Sequence, residues 1–185
     1  MVSDLHLRAA VRALAQGGVL ACPTEAVWGL SCDPDNPEAV SRLLELKQRP
    51  LEKGLILVAA SAAQLQPLLA PLTEAQRSKL SLSWPGPTTW LVPHGGRLPP
   101  WVHGDHDTVA LRVSAHPVVA ALCHAWGGPL VSTSANPAGC KPATTAFQVR
   151  RYFRQQLDYI VPGAVGTAAR PSVIRDLLTD RIIRS

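Results

Sequence analysis

The sequence predicts an α/β fold built on a mixed sheet, and three observations carry that reading. Apolar runs of strand length alternate with amphipathic stretches of helical period. Strands and helices do not follow strict βαβ order, which favours a mixed sheet over a purely parallel one. One segment, Thr108–Val113, alternates at period two, with Val109, Leu111 and Val113 on one face and Ala110, Arg112 and Ser114 on the other. At 185 residues and 46% hydrophobic composition, the chain can bury a full core and is read as one domain, residues 1–185.

Leu5, Leu7, Ala10, Val11 and Leu14 recur at helical spacing, with Ser3 or Asp4 as the cap and Gly17-Gly18 as the stop. Residues 19–22 then read as a buried strand closed by Pro23. Asn36-Pro37 opens the next helix, because Asn caps and Pro suits the first turn. Val40, Leu43, Leu44 and Leu46 form its buried stripe, so Lys47 and Arg49 fall at its C-terminal end, where Pro50 stops it. Residues 55–59 form an interior strand, and Ser61 opens a short helix to about Leu65. Thr73-Glu74-Ala75-Gln76 is a capping box.

Trp84-Pro85-Gly86-Pro87-Thr88-Thr89 is too rich in Pro and Gly for regular structure and leads into a strand at residues 90–92. After the alternating strand, His116-Pro117 begins a helix running to Trp126. Residues 129–131 are an apolar run, and Ser132-Thr133-Ser134-Ala135-Asn136 follows where that strand is expected to end. Thr144 or Thr145 caps another helix, which carries Arg150, Arg151 and Arg154. The last strands fall at residues 158–161, 172–175 and 181–183.

Composition narrows the partners. The net charge of +5 and isoelectric point near 9.4 suit polyphosphate or nucleic acid. No apolar run is long enough to cross a bilayer, and Met1-Val2-Ser3-Asp4 lacks the layout of a leader, so no membrane association and a cytoplasmic location are expected. Cys22, Cys32, Cys123 and Cys140 form no C-x-x-C pair and read as isolated thiols, with no metal site expected. His103-Gly104-Asp105-His106 reads as a solvated loop rather than a metal clip. Neither a G-x-x-x-x-G-K-[ST] loop nor a G-x-S-x-G elbow occurs.

Two polar clusters remain. Lys47-Gln48-Arg49, with Lys53 just beyond, sets fixed positive charge beside an apolar run, and Ser132 to Asn136 offers hydroxyls and an amide at a strand end. Ligands of open α/β sheets sit at strand ends, cations suit phosphate oxygens, and Ser and Asn suit phosphate, ribose or carboxylate atoms. Jointly the clusters predict a site for an anionic ligand.

Four blocks point further. Pro23-Thr24-Glu25-Ala26-Val27-Trp28-Gly29-Leu30 resembles the P-T-E-[TA]-x-[YFW]-G-[LV] motif of the YrdC-like family. Lys47-Gln48-Arg49-Pro50, Trp84-Pro85-Gly86-Pro87-Thr88-Thr89 and Ser132-Thr133-Ser134-Ala135-Asn136 resemble its other blocks, in the family's order. K-x-R and S-x-N are each short; four blocks in sequence across the chain are specific. Ending at Ser185, the chain is expected to match the single-domain bacterial form rather than longer relatives with an added C-terminal domain.

The resemblance implies a twisted mixed sheet around a basic concave cavity. It also implies a synthase joining L-threonine, bicarbonate and ATP into L-threonylcarbamoyl-AMP and pyrophosphate. ATP is then a substrate, with magnesium arriving on it and no tightly bound cofactor. A partner transferase would place the product on adenosine 37 of tRNA. Lys47, Arg49, Ser134 and Asn136 are the implied catalytic group. Lys47, Arg49, Lys53, Thr108, Ser134 and Asn136 hold ATP, while Thr24, Arg112, Ser132 and Ser172 hold threonine.

Blander readings stand beside these. Arg112 also suits an ion pair with Asp107 or another carboxylate, Lys53 a solvated charge, and Thr24 a turn. Glu25 reads as a turn stabiliser, and Trp28 and Trp84 as packing anchors. The chain departs from the family pattern at three places. Arg112-Val113-Ser114 replaces R-x-P, Ser172-Val173-Ile174-Arg175-Asp176 replaces S-T-[IV]-[IV]-D, and Pro137-Ala138-Gly139 replaces x-S-G. The rival function is a non-catalytic protein binding double-stranded RNA or tRNA; in either case weak direct RNA contact would suit the charge.

Overall fold

Alternating short strands and capped helices fold into a single sheet covered unequally on its two faces. The computed structural model describes residues 2–168 and 172–184. Its helices are α1 (Asp4–Ala15), α2 (Pro37–Lys47), α3 (Gln66–Leu69), α4 (Glu74–Ser81), α5 (Pro100–His103), α6 (Pro117–Trp126) and α7 (Ala146–Phe153). The strands are β1 (Leu20–Pro23), β2 (Trp28–Ser31), β3 (Ile56–Ala59), β4 (Thr88–Pro93), β5 (Thr108–Val113), β6 (Leu130–Ser134), β7 (Tyr159–Ile160), β8 (Val173–Asp176) and β9 (Ile182–Arg184). Among the described residues these strands form one sheet in the order β7-β1-β2-β6-β3-β5-β4-β8-β9. It is mixed, as expected: β3 and β5 run parallel, whereas β2 with β6, β3 with β6, and β4 with β5 run antiparallel.

Capping chemistry sets the helix starts. Asn36 Oδ1 accepts from Ala39 N at 2.9 Å, with Pro37 in the first turn. Thr73 and Thr145 each form a complete capping box with Gln76 and Gln148. Helix α2 ends at Gln48, whose φ of 52° turns the chain out of the helix just before Arg49.

Several elements differ from the sequence expectation: β4 begins at Thr88, inside the Pro/Gly-rich block, and α5 is an added short helix. Strand β2 begins inside the Pro23–Leu30 block and forms a hairpin with β1, pairing Cys22 with Gly29. Strand β6 continues through Ser132 to Ser134, so most of the hydroxyl cluster is paired strand rather than the turn after one. The short helix after Ser61 is a 3-10 turn, Ala62–Leu65, continued by α3.

Period two sorts the strands onto two faces. Leu57, Leu111, Val131, Trp28, Leu30, Trp90 and Val92 point to one side and pack with Val40 and Leu43 of α2 and with Val149 and Phe153 of α7. On the other side Leu20, Cys22, Val58 and Leu130 pack beneath Ala10 and Leu14 of α1 and Val119 and Leu122 of α6. That second cover is partial. Positions of the same parity further along (Gly29, Ile56, Leu91, Ala110, Arg112, Ser132 and Ser134) line a cavity instead. Trp28 and Trp84 are buried in the core, as packing anchors should be. Among the described residues no helix is long and apolar enough to cross a membrane.

Candidate active site

The uncovered half of the sheet forms the floor of a cavity of about 540 Å³. All ten residues predicted for the site line it: Thr24, Lys47, Arg49, Lys53, Thr108, Arg112, Ser132, Ser134, Asn136 and Ser172. Gly29 keeps the floor low between two of them. A methyl group there would lie 3.3 Å from both the Thr133 carbonyl oxygen and Thr24 Cγ2, and 3.7 Å from Ser132 Oγ.

Lys47 joins the two polar clusters. Its Nζ lies 2.7 Å from the Ser134 carbonyl, 3.1 Å from Ser134 Oγ, 3.1 Å from the Asn136 carbonyl and 3.2 Å from Asn136 Oδ1. The Asn136 amide nitrogen donates to the Pro137 and Cys140 carbonyls, which turns its oxygen toward the lysine. All four acceptors are neutral. Burial, with a smaller contribution from the Arg49 charge, therefore lowers the Lys47 ammonium from 10.5 to about 8.

Arg49 is held by the loop it precedes. Its Nε and Nη2 donate to the Gly54 carbonyl at 3.2 and 2.8 Å, and Nη2 also reaches the Lys53 carbonyl. That loop presses against α5: Gly54 has a φ of 59°, and a methyl group on it would sit 2.8 Å from the His103 carbonyl oxygen. Burial first, then the nearby Arg184 charge, lowers the Arg49 guanidinium from its ordinary value. Lys53 is exposed at the cavity edge and makes no ion pair among the described residues.

The opposite end is arranged differently. Arg112 Nη2 donates to Glu25 Oε2 at 2.7 Å, both side chains being about nine-tenths buried. The Arg112 partner is thus Glu25, not Asp107. Glu25 is correspondingly more than a turn stabiliser: Ser114 Oγ donates to its Oε1 at 2.7 Å, and Ala115 N at 3.2 Å. Ser114, standing where the family resemblance leads one to expect Pro, supplies this hydroxyl. Nearby, Thr24 Oγ1 donates to the Val27 carbonyl across the hairpin turn, and Thr89 Oγ1 donates to Ser172 Oγ at 2.9 Å.

Four titratable lining residues were not among those predicted for the site: Glu25, His103, His106 and Arg184. His103 closes α5 and stacks on His94 at 4.0 Å, whereas Asp105 and His106 lie in an exposed loop, as read, with His106 at the cavity wall. Arg184 projects from the last strand and donates to the Ser172 carbonyl. Among the described residues the lining therefore carries five lysines and arginines against one carboxylate. Among the described residues no cluster of His, Cys, Asp or Glu is suited to hold a metal ion.

This constellation has relatives. The Sua5/YciO/YrdC family model, described as Telomere recombination, matches residues 12–185. A Saccharophagus degradans protein named threonylcarbamoyl-AMP synthase is 59% identical over 175 residues, covering 95% of this chain and 92% of its own. A Pseudomonas aeruginosa protein of the same name is 55% identical over 184 residues, covering 100% and 99%. Among solved structures, Sua5 of P. abyssi complexed with L-threonine superposes with a TM-score of 0.88 at 31% identity over 95% of this chain. The chain spans about half the length of that Sua5, 52%. YciO of E. coli shares the fold, with a TM-score of 0.85 at 23% identity. Match across residues 12–185, near-complete overlap with these synthases and a shared fold lead to one conclusion: the chain belongs to the Sua5/YciO/YrdC family.

Proposed function

We infer that the cavity synthesises L-threonylcarbamoyl-AMP, with pyrophosphate, from L-threonine, bicarbonate and ATP. The observation that carries this is the identity above half, over nearly full length, with proteins named threonylcarbamoyl-AMP synthase. The lining adds physical support, since it gathers positive charge at one end and a carboxylate-anchored arginine at the other.

The chemistry asks for placement and charge compensation. Threonine's amine and bicarbonate give a carbamate and water; a carbamate oxygen then attacks the α-phosphorus as pyrophosphate departs. Such a displacement depends on alignment and on stabilising the leaving group more than on a protein nucleophile. In this reading Arg49, Lys53 and Lys47 compensate the phosphates and the charge that grows on pyrophosphate. Lys47 also fixes Ser134 and Asn136, which with Thr108 complete the nucleotide side. Arg112 takes the threonine carboxylate through the donors that Glu25 leaves free, and Thr24, Ser132 and Ser172 complete that pocket. Magnesium would be carried by the phosphates, because Glu25, the one lining carboxylate, is engaged by Arg112 and Ser114. The labile product suits hand-over to a transferase that modifies tRNA.

The test is pyrophosphate release with all three substrates, with mass spectrometry of the adenylate. Omitting threonine should abolish release. Release that does not depend on threonine would overturn the assignment.

A further inference from the structure

Glu25 has a task that the reaction itself does not require. Its Oε2 accepts from Arg112 Nη2, and its Oε1 is itself held by the Ser114 hydroxyl and the Ala115 N–H. The carboxylate is thus fixed from one side by the end of β5 and the residues after it, and fixes Arg112 from the other. Ser114 is anchored in turn, since its Oγ accepts from His116 N at 3.1 Å. Arg112 uses only Nη2 for protein contacts among the described residues; Nε is buried with no acceptor. A buried guanidinium with idle donors needs an external acceptor, because an unpaired buried donor costs roughly 1–3 kcal/mol.

We propose that Glu25 is a positioning residue for amino-acid binding: braced by Ser114, it holds Arg112 so that the guanidinium's free donors meet the substrate carboxylate. This rests on the threonine-side assignment made above. Charge gives the brace a distinctive signature. Among the described residues Glu25 is the one negative lining residue beside five cations, so neutralising it misplaces Arg112 yet makes the cavity more positive. Amino-acid and nucleotide binding should then move independently or in opposite directions. A residue that only stabilised the hairpin turn would weaken both together.

The experiment is calorimetry of Glu25→Gln and Ser114→Ala, titrated separately with L-threonine and with a non-hydrolysable ATP analogue. Gln keeps the shape, but its single carbonyl oxygen can serve Ser114 or Arg112 and not both, and neither orientation offers Arg112 a negative charge. Glu25→Gln is expected to weaken threonine at least tenfold while the ATP analogue binds as tightly as in the wild type, or more tightly. Ser114→Ala should weaken threonine by about two- to fivefold with no change for the analogue, a smaller effect because Ala115 N still holds Glu25 Oε1. Unchanged threonine affinity in Glu25→Gln, or equal loss for both ligands, would overturn the proposal. If Glu25→Gln does not fold, Ser114→Ala decides, and wild-type threonine affinity in that variant would equally overturn it. Failure of the wild-type protein to bind threonine would instead remove the functional reading on which the proposal stands.

Discussion

The two ends of the cavity treat their buried cations in opposite ways. Lys47 is surrounded by carbonyl, hydroxyl and amide oxygens and has no counter-charge among the described residues, so burial pulls its ammonium down to about 8. Arg112 is buried to the same degree but sits on a carboxylate, and the Glu25 charge opposes the effect of burial. An uncompensated cation gains most from a ligand with surplus negative charge, such as a triphosphate. A cation already neutralised by its neighbour suits an amino acid, which brings a carboxylate and no large net charge. On the proposed assignment, counter-ion placement would sort substrate polarity along one cavity without changing the sign of the side chains.

The sharpest way to break this contrast is to truncate each cation in turn. Lys47→Ala should lower turnover by roughly a hundredfold or more, the scale of removing one positioned electrostatic group, with the loss appearing in ATP binding and the circular dichroism spectrum unchanged. Arg112→Ala should show the reverse partition, raising KM for threonine and sparing ATP. Parallel losses for both substrates in both variants would refute the division.

Titration sharpens it further. Below about pH 8 Lys47 is already charged and a polyanion binds without taking up a proton. Above that value binding must return a proton to the ammonium, so affinity for an ATP analogue should fall toward tenfold per pH unit, measured without threonine. Lys47→Met should bind weakly and lose the break near pH 8. An unbroken wild-type profile would place the charge-sensitive group elsewhere.

The smallest effect lies outside the cavity. Thr73→Ala removes a capping box at α4 and should cost about 1 kcal/mol, lowering the melting temperature by about 2–4 °C with kcat/KM intact. Loss of activity there would mean that the cavity is coupled to distant helix ends.

Local chemistry was legible in the sequence and long-range pairing was not. The Asn36-Pro37 start, the Thr73 box and the period-two face of β5 each depend on neighbours within a few residues, and each is found as read. Strand β2 escaped notice because Trp28-Gly29-Leu30-Ser31 is short and carries a glycine at its centre, weakening any strand signal. The extension of β6 was hidden by its hydroxyls, which suit turns as readily as strand ends. All ten anticipated site residues reach one cavity, yet Glu25 was undervalued, because its partner lies 87 positions away. A clue existed: an arginine among small residues on one strand face needs a carboxylate from elsewhere. Arg184 offered no comparable clue, being one of several arginines in a basic C-terminal stretch.

Strand β6 has a metric consequence. Ser132 and Ser134, proposed for threonine and nucleotide respectively, are alternate residues on one face, so roughly 6.5–7 Å separates them. On β5, Thr108 and Arg112 repeat that division four residues apart, or roughly 13 Å. Both intervals are written into paired backbone. On the proposed assignment the strands act as a built-in ruler for the reactants, whose separation is set before either arrives. Inserting one residue between Ser132 and Ser134 would turn one of them to the opposite face and erase the scale while leaving every side chain present.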